Sequence, residues 1–189
     1  MDVTHYNVVI IDTGISNSSS ILNMLKYIGI PAIRSNKKDD LSDATHLILP
    51  GVGAYDKGIN SLKSNHLLNC IYKACDKGIP ILGICLGMHL LFDGSEEGDE
   101  NGLGLISGSV KKFKFKDDTL KIPHMGWNYV IPCINSRYFK KKESELDRFY
   151  FVHSYYVLCN NHENIIAKTN YGYEFTSAVR KNNILGVQF

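Results

Sequence analysis

Gly83-Ile84-Cys85-Leu86-Gly87 sets a thiol between two glycines at two-residue spacing. Pro80-Ile81-Leu82 before it is a short apolar run that suits a buried strand, and Leu86, Leu90 and Leu91 after it share one helical face. This spacing is the cysteine form of a nucleophile elbow, a sharp strand-to-helix turn with the nucleophile at its tip. Glycines suit such a turn because backbone must approach backbone closely there. A thiol at a helix N-terminus meets the positive end of the helix dipole, which favours thiolate. The Leu86 N–H is then expected to point at an oxyanion formed on the attacked carbon. The alternative is a buried structural cysteine between two packing glycines, because short motifs recur by chance.

A second glycine turn, Leu49-Pro50-Gly51-Val52-Gly53-Ala54, follows another apolar run and is placed to offer backbone N–H groups at a sheet edge. Ligands of open α/β sheets bind at the C-terminal edge of the strands. Two such turns, one carrying a thiol, make an acyl-transfer site of nucleophile plus oxyanion hole. The base stays open among seven histidines, His5, His46, His66, His89, His124, His153 and His162. His89 lies one helical turn past Cys85, yet on the elbow helix itself, so residue chemistry alone assigns no base.

The elements that position these turns alternate. Tyr6 to Ile11 reads as a buried first strand. Ser16 to Ser20 supplies caps for a helix through Ile21, Leu22, Leu25 and Ile28, which ends at Gly29. Ile30 to Ile33 is a second strand, Ser35 to Ser42 a polar loop, and Thr45 to Leu49 a third strand. One or two helices are expected over residues 55–77, closed by Gly78 before the elbow strand. Strands alternating with helices imply an open, mostly parallel sheet with helices on both faces. After the acidic, glycine-rich loop Asp93 to Gly104 the pattern changes. Phe113 to Lys116 alternates like a strand, with its lysines on a solvated face, and Lys140-Lys141-Lys142-Glu143 reads as an exposed turn. Phe149 to Cys159 is expected to be one strong strand, followed by strands at 165–168, 175–179 and 184–189. Late strands without long helices predict an antiparallel extension of an α/β fold.

At 189 residues, with 44% hydrophobic and 21% charged residues, the composition is that of a globular chain with a substantial core, and one domain is the default. A net charge of +2 gives no drive toward nucleic acid or acidic membrane. Five cysteines without a C-x-x-C pair argue against a disulfide framework and a zinc site, so no metal is expected. The first residues lack a basic segment, and the apolar run Val8 to Ile11 is too short for a leader or a span, so a cytoplasmic protein is expected.

Five stretches in order carry a resemblance: Leu49 to Ala54, Gly83 to Met88, Lys121-Ile122-Pro123-His124-Met125-Gly126-Trp127-Asn128, Phe151-Val152-His153-Ser154-Tyr155-Tyr156 and Gly186-Val187-Gln188-Phe189. Together they resemble the class I (triad) glutamine amidotransferases, and within them the glutaminase subunits of imidazole glycerol phosphate synthase. The resemblance implies that Cys85 attacks the side-chain amide of glutamine, without a cofactor. It implies an oxyanion hole from Leu86 and the turn at Val52 and Gly53, and a substrate grip from Gly53, Ser154 and Tyr155. It also implies a heterodimer with a (β/α)8 cyclase subunit that receives the ammonia, with Asn17 and Trp127 facing that partner.

Three departures shape what is expected. His89 stands where the family has a substrate-contacting Gln, so His89 is expected at the substrate. Asp12-Thr13-Gly14-Ile15-Ser16-Asn17 replaces the family's Asp-Tyr-Gly-x-Gly-Asn, so the partner face is expected to differ. The family's Gly-Val-Gln-Phe continues into His-Pro-Glu, whose His and Glu complete the triad. The chain is therefore expected to be one amidotransferase domain over 1–189, C-terminally incomplete and weak in turnover as it stands. Two other readings stay open: a paralogue supplying ammonia to a barrel that amidates a surface sugar, and a non-catalytic module that docks on the barrel.

Overall fold

A computed structural model describes residues 6–116, 120–133, 138–139 and 146–189. The expected turn at Lys140 to Glu143 lies outside the described residues. The first half alternates as the pattern predicts. Strands β1 (Val8–Ile11), β2 (Ala32–Ser35), β3 (His46–Gly51) and β4 (Ile81–Cys85) pair in parallel in the order β2-β1-β3-β4. Helices α1 (Ser18–Tyr27), α2 (Lys38–Ser42), α3 (Tyr55–Ser64), α4 (Leu68–Asp76) and α5 (Leu86–Leu90) connect them.

Alternation along the strands sends side chains to two faces. Val8, Ile10 and Ile48 pack under Ile21, Leu22 and Leu25 of α1. Val9, Ile11, Leu47 and Leu49 pack under the opposite layer, with Ile59 and Leu62 from α3, Ile71 and Ala74 from α4, and Met88 and Leu90 from α5. The helices thus cover both faces, as a buried parallel sheet requires.

The second half continues the same sheet. Strands β5 (Gly94–Ser95), β6 (Gly108–Lys112), β8 (Ile131–Pro132), β10 (Tyr155–Cys159), β11 (Ile165–Tyr171), β12 (Tyr173–Lys181) and β13 (Ile184–Val187) extend it, mostly antiparallel. The last strand is the joint. β13 runs parallel to β4, with Gly186 opposite Gly83, and antiparallel to β12, with Val187 opposite Ala178. β7 (His124–Tyr129) and β9 (Arg148–His153) form a separate two-stranded sheet.

Several local expectations are corrected. β2 starts two residues later than read, and the polar stretch after it holds α2, whose one apolar side chain, Leu41, is buried. The first helix begins at Ser18 with Asn17 at its N-cap but without a side-chain cap hydrogen bond, so the serine run does not cap as expected. The alternating Phe113 to Lys116 is not a strand; β6 ends at Lys112, and Phe113 turns into an aromatic cluster with Phe115, Tyr156 and Phe175. The long aromatic strand breaks at Ser154 into β9 and β10, because each half has different partners in a different sheet. β7 and β8 were not legible, since Gly126 and Pro132 interrupt any strand signal.

Close packing holds β3, β4 and α5 together. A Cβ on Gly87 would lie 1.7 Å from the Leu49 carbonyl oxygen, and one on Gly83 would lie 2.8 Å from the Gly87 carbonyl oxygen. Gly87→Ala is therefore expected to cost about 1–3 kcal/mol or more, the range of forced overpacking. Gly94→Ala, where a Cβ meets nothing within 4 Å, is the control and should stay within about 0.5 kcal/mol. Urea denaturation of both variants measures the difference, and equal midpoints would contradict the packing argument.

Candidate active site

Cys85 closes β4 and caps α5 with φ 54° and ψ −113°, a conformation sparsely used by residues with a Cβ. Such strain persists only where surrounding packing over-determines it, and it concentrates at functional sites. Here the packing is supplied by Gly83 and Gly87 on either side of the thiol.

The elbow opens onto a cavity of about 520 Å³, within the range of small-molecule sites. The expected residues Val52, Gly53, Cys85, Leu86, His89, Ser154 and Tyr155 all line it. Asn17 and Trp127 do not. Asn17 is exposed at the start of α1, and Trp127 is 64% exposed on β7.

Several opposing influences act on the thiol. Burial pushes the Cys85 thiol above its ordinary value, and the Leu86 N–H and the Gln188 amide N–H pull it back only in part, while the Glu97 carboxylate pushes it up further. Desolvation is the largest of these, because burial disfavours the charged thiolate. Leu86 does direct its N–H at the sulfur, as the elbow geometry requires. The Val52 N–H instead donates to the Ile15 carbonyl oxygen at 3.1 Å, beside Gly53 with φ +87°.

The histidines of the cavity are already engaged. His89 Nε2 faces Gln188 Oε1 at 2.8 Å. His153 Nδ1–H donates to the Tyr155 carbonyl oxygen at 2.7 Å. Because a carbonyl only accepts, His153 Nε2 must be the bare nitrogen. It accepts from His124 Nδ1–H at 3.0 Å, and His124 Nε2 accepts from Asn128 Nδ2 at 3.2 Å. The same amide donates to the Asn170 carbonyl oxygen at 2.8 Å. This run of neutral partners holds the β9–β10 corner that carries Ser154 and Tyr155. Burial lowers His89 to about 4, His124 to about 4 and His153 to about 3. Among the described residues, no group of three or more His, Cys, Asp or Glu is arranged to hold a metal ion, and no helix is long and apolar enough to cross a membrane.

Residues 9–189 match the family model described as glutamine amidotransferase class-I. The chain belongs to this family. It is 50% identical over 183 residues to imidazole glycerol phosphate synthase subunit HisH 2 of Methanococcus maripaludis, covering 96% of this chain and 90% of that protein. It is 43% identical over 183 residues to the protein of the same description from Pseudomonas aeruginosa, with the same coverage. Among solved structures it resembles one described as a glutamine amidotransferase (TM-score 0.75, 17% identity, covering 96% of this chain and 88% of that one). It also resembles PurLQS from Thermotoga maritima (TM-score 0.69, 18% identity, 96% and 85%). At that identity the structural likeness speaks for the amidotransferase fold alone.

Two residues at this amidotransferase's site were missed in the sequence: Glu97, which lines the cavity, and Gln188, which is buried behind the thiol. Glu97 arrives on the acidic loop after α5, which Asp56 organises by accepting the Asp99 and Glu100 N–H groups at 3.1 Å each. Its carboxylate accepts the Tyr55 N–H, and burial raises its pKa. No periodicity marks such a loop residue. Gln188 stood within a recognised stretch but with no role, and only the pairing of β13 with β4 brings it to Cys85.

Unfolding would free His89, His124 and His153 to bind protons near their ordinary value of 6.5. Their folded values are depressed, so the associated stability is complete above about pH 6.5 and is lost as the pH falls through about 4 and about 3. Urea midpoints measured from pH 7.5 downward should decline over that window. A midpoint that holds constant from pH 7 to 4.5 would contradict the buried neutral histidines.

Proposed function

We propose that this chain is the glutaminase subunit of an imidazole glycerol phosphate synthase, acting in the cytoplasm in histidine biosynthesis. The observation that carries the reading is the strained Cys85 elbow opening on a cavity with the Leu86 N–H at its sulfur. Identity to proteins named as that subunit supports the choice within the family.

In this reading glutamine enters with its carboxamide at Cys85. The Glu97 carboxylate offers an ion pair to the α-ammonium group, and Gly53, Ser154, Tyr155 and His89 enclose the rest. Cys85 Sγ bonds to the amide carbon, the proton that the thiol gives up passes to the amide nitrogen, the C–N bond breaks and ammonia departs, leaving the glutamyl thioester. Water then cleaves the thioester to release glutamate and free the thiol. The Leu86 N–H stabilises the oxyanion of both tetrahedral intermediates. A second donor from the Val52–Gly53 turn requires that turn to let go of the Ile15 carbonyl, two residues before Asn17. Contact of a partner with the Asn17 loop is the trigger this geometry suggests, so the subunit alone is slow.

The partner is read from the outer face of the β7–β9 sheet. Met125, Trp127 and Tyr129 stand opposite Val152, Tyr150 and Arg148, and the hydrophobic ones are all exposed. Trp127 meets Tyr150 edge-on at 5.9 Å, and Arg148 lies over Tyr129 at 5.2 Å. An exposed aromatic patch of this kind marks a protein interface. Val152 belongs to the patch and also lines the cavity, as does Pro123 beside β7. Ammonia released at Cys85 thus has a short way to a docked (β/α)8 cyclase. That confinement matters, because ammonia in neutral water is mostly protonated and then not nucleophilic. A second reading, ammonia supply to a barrel that amidates a surface sugar, is favoured by the substituted turn Asp12 to Asn17.

The full gene product is assayed with the cyclase for production of imidazole glycerol phosphate. Cys85→Ala should abolish glutamine-dependent turnover and leave ammonia-dependent turnover intact, whereas Ala at Cys70, Cys75, Cys133 or Cys159 should leave both. Full glutamine-dependent activity in Cys85→Ala would refute the nucleophile, and no product with this cyclase would favour the surface-sugar barrel. Trp127→Ala should weaken the complex by about 2 kcal/mol, roughly thirtyfold in Kd, as expected for an aromatic anchor. Titration calorimetry that finds unchanged affinity would move the interface elsewhere.

A further inference from the structure

Gln188 is 1% exposed, and its carboxamide bridges two residues of the elbow. Its Nε2–H points at Cys85 Sγ at 3.8 Å, and its Oε1 lies 2.8 Å from His89 Nε2. The bridge follows from the fold. Pairing of β13 with β4 puts Gly186 beside Gly83 and Val187 beside Ile84, so Gln188 comes level with Cys85. The Gln188 N–H donates to the Ser177 carbonyl oxygen at 2.9 Å and fixes its backbone. A Cβ on Gly186 would lie 2.7 Å from Met88 Cγ, so the bare glycine lets α5 approach β13 closely enough for His89 to reach the amide.

A carboxamide has two ends of nearly the same shape and opposite hydrogen-bonding sense. One orientation presents an N–H to the sulfur, which favours the thiolate. The other presents a carbonyl, which favours the S–H. The group at the far end decides between them. A neutral imidazole with its proton on Nε2 can only donate there, so only Oε1 can face it. A glutamine at the same position could donate or accept, and would select neither orientation.

We propose that His89 is a positioning residue that acts through Gln188, holding the amide N–H on the Cys85 sulfur and so making the thiol easier to ionise. The proposal rests on the reading of Cys85 as the nucleophile. The other groups acting on the sulfur are the Leu86 N–H from α5 and the Glu97 carboxylate from the loop, and His153 from β9 and Tyr155 from β10 line the same cavity. They are common to every protein compared below.

The test is the pH dependence of Cys85 alkylation by iodoacetamide, followed by peptide mass spectrometry in the full chain. Wild type is compared with His89→Leu, His89→Gln, Gln188→Leu and the double leucine variant. His89→Leu should raise the inflection by about one pH unit, the scale of a hydrogen bond to a charged group. His89→Gln should recover part of that shift, and the double variant should lie no higher than Gln188→Leu. A His89→Leu profile that coincides with wild type, or leucine effects that add, would overturn the proposal. Should the leucine variants not fold, ¹⁵N NMR of the unsubstituted protein decides: an Nε2–H tautomer at His89 supports the proposal and an Nδ1–H tautomer overturns it. Alkylation needs no glutamine, so loss of glutaminase with these shifts intact would count against the proposed function alone.

Discussion

Everything in this molecule depends on how closely α5 is held against β3 and β4. The Leu49 carbonyl occupies the space that a side chain on Gly87 would need, and the Gly87 carbonyl crowds Gly83 in the same way. With both contacts in place, the chain can reverse from strand to helix only through Cys85, at a backbone conformation with positive φ. The strain at one residue is offset by burial of Leu49, Leu86, Met88 and Leu90 around it. Relaxing either glycine contact would release the thiol from the position where the Leu86 N–H meets it.

The last strand is the second constraint. β13 sits between the parallel and antiparallel halves of the sheet, so the final residues of the described chain lie beside the elbow formed a hundred residues earlier. That insertion makes the sulfur's surroundings a product of tertiary pairing: Gln188 from β13, His89 from α5, Glu97 from a loop tied to α3. It also explains why burial is the largest influence on the thiol. A sulfur with strands on both sides loses hydration, which raises its pKa.

The small β7–β9 sheet works with two faces of opposite character. Its inner face carries His124, Asn128 and His153, whose hydrogen bonds are mutually satisfied and hold the Ser154–Tyr155 corner. Its outer face carries Trp127, Tyr129 and Tyr150, which are exposed. Strand alternation places the two sets back to back, and Val152 on the outer face also reaches the cavity.

The amino-acid sequence by itself determined the elements with strong local signals. The parallel strands, the helices with a clear apolar stripe and the Gly-x-Cys-x-Gly elbow could be read because each depends on periodicity or turn chemistry within a dozen residues. The glycine turn at Val52 and Gly53, and the residues Ser154 and Tyr155, were legible through ordered motifs and lie on one cavity. What needed tertiary structure had partners far away in the chain. The aromatic stretch 149–159 shows no break in its composition, yet it divides at Ser154 because its halves pair with β7 and with β6 and β12. Phe113 alternates like a strand residue and its N–H still donates to the Ser154 carbonyl oxygen at 3.0 Å, but β6 ends at Lys112 and the side chain is buried in an aromatic cluster. The surroundings of Cys85 needed the tertiary structure for the same reason: the helix end is local and visible, while Gln188 on β13 and Glu97 on its loop reach the sulfur only in the folded chain.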